Sequence, residues 1–234
     1  YGEWVADNLR PVAGLSEVAP TEDRLPEDLT QVWRAFGYTR ESLELLLAPM
    51  AEVGKEPLGS MGRDIPLSVL SDQPRPLFDY FKQLFAQVTN PPLDAIREQL
   101  VTSLHVNLGA EANLFAETPE HANMLRLDRP VISGDDLSRI QGTGRATELE
   151  SLVPAGTHGD GLRRALSRLC DRASAAIDAG SDILILTDRA ASDTRAPIPS
   201  LLAVGAVHHH LIATGRRSRC SLVVASGEPR EVHH

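Results

Sequence analysis

The residues with the clearest potential for chemistry follow two apolar segments in the last third of the chain. Asp188 and Arg189 come after segment 182–187, and Ser226 comes after segment 220–225. Ligands of α/β proteins bind at the carboxyl ends of parallel strands, so these positions could form a site for a small anion. A position at a strand end does not by itself show that a residue binds a ligand. Asp188 could equally pair with Arg189 or cap the residues that follow. The residues therefore favour a structural role at this edge.

Consecutive histidines, His208 to His210 and His233 to His234, look like metal ligands but are not spaced as such. Successive residues of a helix point about 100° apart, so three in a row cannot converge on one ion. Zinc-binding helices use histidines four residues apart, as in the H-E-x-x-H motif, and this spacing is absent from the sequence. We therefore predict no metal-binding residues.

The sequence also lacks the common catalytic and cofactor motifs. No serine lies in the G-x-S-x-G motif of hydrolases, and no G-x-G-x-x-G dinucleotide motif occurs. Cys170 and Cys220 are far apart, and we expect packed thiols in a reducing compartment. Asp135 and Asp136 fit the start of a helix, whose dipole favours acidic residues. The residues alone predict a domain with no catalytic and no cofactor-binding residue.

The composition is that of a globular protein with an acidic surface. Of 234 residues, 42% are hydrophobic and 24% are charged, and the formal net charge is −9 at pH 7. This charge argues against nucleic-acid binding, which needs a basic face. No apolar run approaches the roughly 20 residues of a membrane span, and the first residues lack a signal-peptide pattern, so we expect a cytoplasmic protein without membrane contact. A start without methionine and an end within a predicted helix turn indicate part of a longer polypeptide.

Three strands and two helices must position the strand-end residues. The predicted strands are 147–152, 182–187 and 220–225, and the predicted helices between them are 160–179 and 199–214. An unbroken apolar strand is typical of a parallel sheet, where both faces are buried. Strand, helix and strand of these lengths form a right-handed βαβ unit. We therefore predict an α/β fold with residues 146–234 as its βαβ part.

The preceding part of the chain, residues 26–142, is predicted to be mostly helical. The predicted helices are 26–36, 39–47, 92–100, 117–126 and 133–140, with short strands within 101–109 and at 131–132. Gly37 and Pro49 are expected to end the first two helices, and Ser133 to cap the last.

The most strongly patterned segment of that part is a predicted helix at residues 76–88. Its apolar residues recur at intervals of three and four, which creates a wide face rich in aromatic side chains. A glycine-rich turn, 58–62, precedes the helix, and the proline-containing segment 89–92 ends it with carbonyl groups that need other partners. We interpret the face as plain core or, less favoured, as a seam with another domain.

Several blocks of the sequence, in this order, resemble the central domain of the glutamate synthase large chain. The blocks are residues 55–62, 76–92, 113–114, 118–121, 183–189, 196–203, 208–210 and 230–234. They extend over nearly the whole chain, with residues 13–25 and 143–161 unspecific. Several long blocks in the right order are far more specific than a short motif.

The resemblance implies a role within a much larger enzyme. Such enzymes join an N-terminal glutaminase domain to a synthase barrel that carries FMN and an iron–sulfur cluster, and a small NAD(P)H-oxidising subunit is a further partner. They make two glutamates from glutamine and 2-oxoglutarate, and ammonia passes internally between the two active sites. Residues 1–25 would be a linker from the glutaminase domain and residues 26–234 the central domain. This domain would bind no cofactor, resemble part of the flavin-type β/α barrel, and be inactive alone.

Residue-by-residue resemblance also implies positions in the wall of the ammonia tunnel. Met61, Thr89, Asn90 and Pro91 match these positions. Neutral ammonia needs a dry, mostly apolar passage, and proline holds its neighbouring carbonyl groups rigidly without adding a donor.

Two other functions stay open on the sequence. A free-standing α/β protein would bind a small ligand with its strand-end loops at Asp188 and Ser226. A purely structural spacer would have no tunnel role, so that substitutions at Met61 and Thr89 would affect stability only.

Overall fold

A parallel sheet with helices on one face and a smaller sheet on the other forms the centre of the protein. The computed structural model describes residues 1–16, 29–57, 75–81 and 92–234. Within these ranges the helices are α1 (Gly2–Asn8), α2 (Leu29–Ala35), α3 (Ala48–Val53), α4 (Ala95–Val101), α5 (Gly134–Gly142), α6 (Gly159–Asp178) and α7 (Ser200–Ala213). The strands are β1 (Arg10–Pro11), β2 (Val106–Leu108), β3 (Leu125–Leu127), β4 (Ala146–Glu150), β5 (Leu152–Pro154), β6 (Ile183–Thr187), β7 (Arg195–Pro197) and β8 (Ser221–Ala225).

The central sheet contains the predicted parallel βαβ arrangement. Strands β4, β6 and β8 pair in parallel and in that order. Helix α6 lies between β4 and β6 in sequence, and α7 lies between β6 and β8. All five residues of β6 are buried, as its unbroken apolar run predicted. The α/β prediction for this part of the chain is confirmed.

The side chains of β6 alternate between two hydrophobic cores, because successive residues of a strand point to opposite faces. Leu184 and Leu186 pack with α6 and α7 in the first core. Ile183 and Ile185 pack with α5, β2 and β3 in the second core. Both crossover helices therefore cover the same face of the parallel sheet.

Local sequence signals define the helices that flank the sheet. The Ser133 hydroxyl accepts a hydrogen bond from the Asp136 amide, and the Asp136 carboxylate accepts one from the Ser133 amide. This capping box confirms the predicted start of α5. Gly180, with a φ of 103°, follows α6, because glycine adopts positive φ without strain. These signals were readable from the sequence.

Strands β1, β2 and β3 form the small sheet, and in this region the structure contradicts two predictions. Strand β3 lies between β1, which is parallel to it, and β2, which is antiparallel. The helix predicted at 117–126 is wrong, because Pro119–Ala122 form only a 3₁₀ turn and Leu125–Leu127 form β3 with two leucines in the second core. The strand predicted at 131–132 is also wrong, since these residues lie in a loop. The strand expected within 101–109 is confirmed as β2.

In the N-terminal helical part, one predicted helix end is wrong. Pro49 was expected to end the second helix, but the chain passes from a π-helical turn, Ser42–Leu47, into α3 with Pro49 in the first turn. A first-turn residue needs no N–H for the helical ladder, so proline is tolerated there. Gly54, with a φ of 72°, ends the helix instead.

The predicted aromatic helix also begins differently. Leu77–Tyr80 form a 3₁₀ turn, and Phe81 has φ −118° and ψ 80°, which is not helical. The α-helical start predicted at residue 76 is therefore wrong, and residues 82–88 lie outside the described residues.

The described part of the predicted linker, residues 1–16, contains regular elements. Strand β1 joins the small sheet, and Val12 is buried in the second core. This segment thus packs on the body of the domain. The predicted division at residue 25 stays a prediction.

Candidate functional site

The two strand-end loops meet at one edge of the central sheet. Asp188 directly follows β6 and Ser226 directly follows β8, and the two strands are paired in parallel. The Ser226 hydroxyl donates a hydrogen bond to Asp188 Oδ2, and the Gly227 amide donates one to Oδ1 at 3.3 Å. Arg189 is exposed, and its amide donates to Thr187 Oγ1 at 3.3 Å. The structure therefore brings Asp188 and Ser226 together, as their strand positions indicated.

The Asp188 carboxyl group is buried beneath these loops. Burial raises its pKa above the usual value, because the charged form loses hydration. The hydrogen bonds from Ser226 and Gly227 act in the opposite direction, and the nearby charge of Glu228 raises the pKa further. Asp188 consequently keeps its proton to a higher pH than an exposed aspartate would.

The N-terminus of α7 is bound by the neighbouring acidic residue of the same loop. Glu228 Oε2 accepts hydrogen bonds from the Ser200 amide at 2.6 Å and from the Ser200 hydroxyl at 2.7 Å. A carboxylate is favoured at this position, because the first turn of a helix has unpaired N–H groups and a positive dipole end. Glu228 thereby fastens the loop after β8 to the helix that precedes β8.

Little space remains between these groups for a ligand. The cavity lined by Ser151, Asp188, Ser200 and Ser226 has a volume of about 10 Å³. This is about the space that one water molecule needs. The geometry of the strand-end loops fits a structural junction between sheet and helix.

A second set of contacts joins the loop after β8 to the N-terminal helical part. The Tyr38 hydroxyl donates to the Gly227 carbonyl at 2.8 Å, and the Arg230 guanidinium lies 4.0 Å from the centre of the Tyr38 ring. Arg230 also donates to the carbonyl groups of Phe36, at 2.6 Å, and of Gly37, at 3.3 Å. Sequence reasoning missed this cluster, because its two halves are about 190 residues apart and neither carries a motif.

The consecutive histidines have separate environments. His208 Nδ1 accepts from Arg217 Nε at 3.0 Å, His210 Nε2 lies 2.8 Å from Ser174 Oγ, and His209 is exposed. Within the ranges that the structure describes, no three histidine, cysteine or acidic side chains are grouped as metal ligands.

The four positions expected in the tunnel wall cannot be placed in this structure. Met61, Thr89, Asn90 and Pro91 lie outside the described residues.

Large apolar side chains are exposed at several places on the described surface, and two groups of them lie close together in the sequence. On α4, Ile96 is 91% exposed and Leu100 is 81% exposed, and these residues lie on one face at a spacing of four. Leu114 and Phe115 are exposed beside a groove of about 360 Å³ that is also lined by Trp4. Exposed apolar patches mark surfaces that bind other proteins or domains. In the described part of the chain, no helix is both long and apolar enough to span a membrane.

Comparison with known sequences decides the family. The sequence model of the glutamate synthase central domain matches residues 31–234. The chain belongs to this family. The resemblance found in the sequence blocks is thereby confirmed.

Similar proteins are large chains of glutamate synthases. The chain is 44% identical over its whole length to the glutamate synthase [NADPH] large chain of Bacillus subtilis (strain 168) and 43% identical to ferredoxin-dependent glutamate synthase 2 of Synechocystis sp.. Over 93% of its length it is 39% identical to glutamate synthase [NADH] of Schizosaccharomyces pombe. It spans 15% of the first two proteins and 11% of the third. The names of these relatives include three different electron donors.

The described residues at the strand-end edge of the central sheet and the two cysteines differ from the usual binding groups for FMN and for an iron–sulfur cluster. In β/α barrels, strand-end loops and a helix N-terminus bind phosphate groups, but here the Glu228 carboxylate already accepts hydrogen bonds at the start of α7. Iron–sulfur clusters are held by cysteine thiolates, usually four. The chain has two cysteines, Cys170 and Cys220, and burial raises the pKa of both thiols, which keeps them protonated.

Proposed function

We propose that this chain is the non-catalytic central domain of a glutamate synthase large chain. It holds the glutaminase domain and the FMN-binding synthase domain of the same polypeptide in a fixed relation and forms part of the wall of the ammonia passage between them. A small NAD(P)H-oxidising subunit is a further proposed partner of the whole enzyme. The expected cytoplasmic location stays a prediction.

The observation that carries this proposal is the exposed apolar surface of α4. Ile96 and Leu100 expose nearly all of their surface, although each large aliphatic side chain gains about 2 kcal/mol from burial. The relatives are more than six times as long as this chain, so the remaining polypeptide supplies domains to cover such a surface. We propose that α4 packs against one of these domains.

The winding of the central sheet supports a relationship to a β/α barrel. In such a barrel, every crossover helix lies on the outer face of the sheet. Helices α6 and α7 both pack on the face formed by Leu184 and Leu186. The three strands β4, β6 and β8 therefore have their crossover helices on one side, as the strands of a β/α barrel do. In place of the packed interior of a barrel, the other face is covered by α5 and the small sheet. We propose that the domain is a shortened and closed form of the flavin-type barrel.

The proposed contribution to the reaction is transport rather than bond breaking. Hydrolysis of glutamine yields glutamate and ammonia in one domain. The synthase domain would combine ammonia with 2-oxoglutarate, with loss of water, and two electrons from the enzyme's electron donor would reduce the product to the second glutamate. Transfer without loss requires that the passage excludes water and offers few fixed hydrogen-bond acceptors. We propose that Met61 and the segment 89–91 provide such a wall.

Replacing Met61 with alanine in the full-length protein is expected to make ammonia leak. The smaller side chain widens an apolar passage, so we expect a several-fold rise in free ammonia released per glutamine hydrolysed. Glutamate formed per glutamine should fall from two towards one. Both quantities are measured in the same steady-state assay, and Met50→Ala, the same substitution on α3, is the matched control.

An unchanged ratio in Met61→Ala would contradict the tunnel role and would favour a domain that acts only as a spacer. A rise of the same size in Met50→Ala would indicate a general loss of structure and would also contradict the specific role of Met61.

A further inference from the structure

One edge of the central parallel sheet has no partner strand among the described residues. Strand β8 is the last in the order β4, β6, β8. The Ser221 amide donates to the Asp182 carbonyl at 2.9 Å, so residues 221, 223 and 225 direct their peptide groups at β6. The N–H and C=O groups of Leu222 and Val224 therefore point away from the sheet, because these groups alternate in direction along a strand. Such groups are strong hydrogen-bonding groups that need partners.

The opposite edge of this sheet, strand β4, has the side chains of an edge that stays unpaired. Glu148 and Glu150 are exposed, and Leu149 between them is buried. Charged residues on an edge strand prevent the addition of a further strand. Strand β8 has no such protection, because its sequence, Ser-Leu-Val-Val-Ala, contains no charged residue and no proline, and its register with β6 is unbroken. Val224 is even 40% exposed. The edge at β8 is thus suited to pairing.

Helix α7, which precedes β8, is apolar on its outer side as well. The exposed side of α6 carries charged residues such as Arg163, Arg164 and Arg168, whereas α7 contains no aspartate, glutamate, lysine or arginine. Leu201 and Ile212 of α7 are 36% and 52% exposed, and their separation of eleven residues places them on one side of the helix after about three turns. A helix that is apolar all round is normally buried on all sides.

This apolar side of α7 lies next to the open edge of β8. His208, four residues before Ile212 and therefore on the same side, accepts a hydrogen bond at Nδ1 from Arg217, which lies in the turn before β8. Val204 of α7 and Val224 of β8 line the same small cavity. The strand edge and the helix side therefore form one continuous surface.

We propose that a further helix and a parallel strand, supplied by the full-length polypeptide outside these 234 residues, cover this surface. A row of outward N–H and C=O groups is matched by another strand, and an apolar helix side is matched by another helix. Right-handed crossovers place the added helix on the same side of the sheet as α6 and α7. This inference rests on the proposed function, since it requires a longer polypeptide, and the relatives are more than six times as long as this chain.

Hydrogen exchange of the full-length protein, resolved to single residues by mass spectrometry, tests the pairing of β8. The amide of Glu148 faces outward from β4 and is the matched control, and the amide of Val223, which faces β6, is the reference for slow exchange. We expect the amides of Leu222 and Val224 to exchange roughly 100-fold more slowly than that of Glu148. Exchange as fast as that of Glu148 would overturn the inference.

Light-induced cross-linking of Ile212→p-benzoylphenylalanine in the full-length protein identifies the segment that covers α7. We expect a cross-linked peptide from the same polypeptide and from outside these 234 residues. Arg168→p-benzoylphenylalanine, on the exposed charged side of α6, is the matched control and should not yield this product. A cross-link to another part of the 234 residues, a product of two joined copies, or the absence of any product would each overturn the inference.

Failure of this inference is separable from failure of the proposed function. Fast exchange at Leu222 and Val224 together with ammonia leakage in Met61→Ala would overturn the inference and leave the proposed function standing. Slow exchange and the expected cross-link together with an unchanged ratio in Met61→Ala would support the inference and contradict the role in the ammonia passage.

Discussion

Replacement of Arg145 with alanine is expected to lower the free energy of unfolding by about 3 kcal/mol, the lower end of the range for breaking a buried ion pair. Arg145 Nε lies 3.1 Å from both carboxylate oxygens of Asp182, and Nη2 donates to Asp182 and, at 3.0 Å, to the Asn123 carbonyl. The two charged side chains are only 18% and 19% exposed. Removal of the guanidinium would leave a largely buried carboxylate without its counter-charge.

The position of this pair explains the size of the expected effect. Arg145 directly precedes β4, Asp182 directly precedes β6, and Asn123 lies just before β3. One guanidinium therefore joins the starts of two parallel strands to the small sheet. The loss is expected to affect both cores rather than one loop.

Urea unfolding of the 234-residue chain, followed by circular dichroism, measures this effect. Arg145→Lys is the matched control, because it keeps the charge but cannot form the paired hydrogen bonds, and it should lose less stability. Asp182→Asn and the double variant complete a thermodynamic cycle, and we expect strong coupling between the two positions. A loss below about 1 kcal/mol in Arg145→Ala would place the pair among weak surface ion pairs and contradict this account.

Replacement of Gly227 with alanine is expected to destabilise the protein by about 2 kcal/mol, which is typical of overpacking. A Cβ atom at Gly227 would lie 2.9 to 3.1 Å from three carbon atoms of the Phe36 ring. The loop after β8 would have to move away from the helical part, and the hydrogen bond from Tyr38 to the Gly227 carbonyl would lengthen.

Gly205→Ala in α7 is the matched control, because no atom lies within 4 Å of its added Cβ. In a helix interior, alanine is favoured over glycine by about 1 kcal/mol, so this variant should be more stable than the wild type. Both variants are compared by urea unfolding. Combining Gly227→Ala with Phe36→Ala should cost less than the sum of the single changes, and simple additivity would show that the close contact is not the cause.

The sequence was sufficient to predict the central sheet and its helices. Strand β6 has an unbroken apolar run, and α6 has buried residues at regular helical spacing. Each signal extends over a whole element, so a single exception does not hide it. The meeting of Asp188 and Ser226 followed from the same pattern, since parallel strands end at one edge.

Shorter elements were mispredicted because their local signals conflict. Thr118 and Pro119 form a helix-start signal, but the helical turn is only four residues long. The leucines of β3 occupy alternate positions over three residues, which is too short a pattern to recognise without the core that it fills. Tertiary packing, rather than the local sequence, determines the conformation of this segment.

The contacts that organise the loop after β8 had no signal in the sequence. Tyr38 and Gly227 are 189 residues apart, and Ser200 and Glu228 are 28 apart. A tyrosine after a helix and a glutamate in a loop are ordinary residues, so only the folded structure identifies them as partners. The same holds for the stacking of His234 on Phe78.

The labelling rate of a cysteine at position 100 tests the central claim most directly. Leu100→Cys on α4 is treated with maleimide in the 234-residue chain and in the full-length protein, and the peptide that contains it is quantified by mass spectrometry. Arg168→Cys, on the exposed charged face of α6, is the control. If α4 packs against another domain, Leu100→Cys should react rapidly in the chain and many times more slowly in the full-length protein, while Arg168→Cys reacts rapidly in both. Equal rates for Leu100→Cys in the two proteins would contradict the proposed scaffold role.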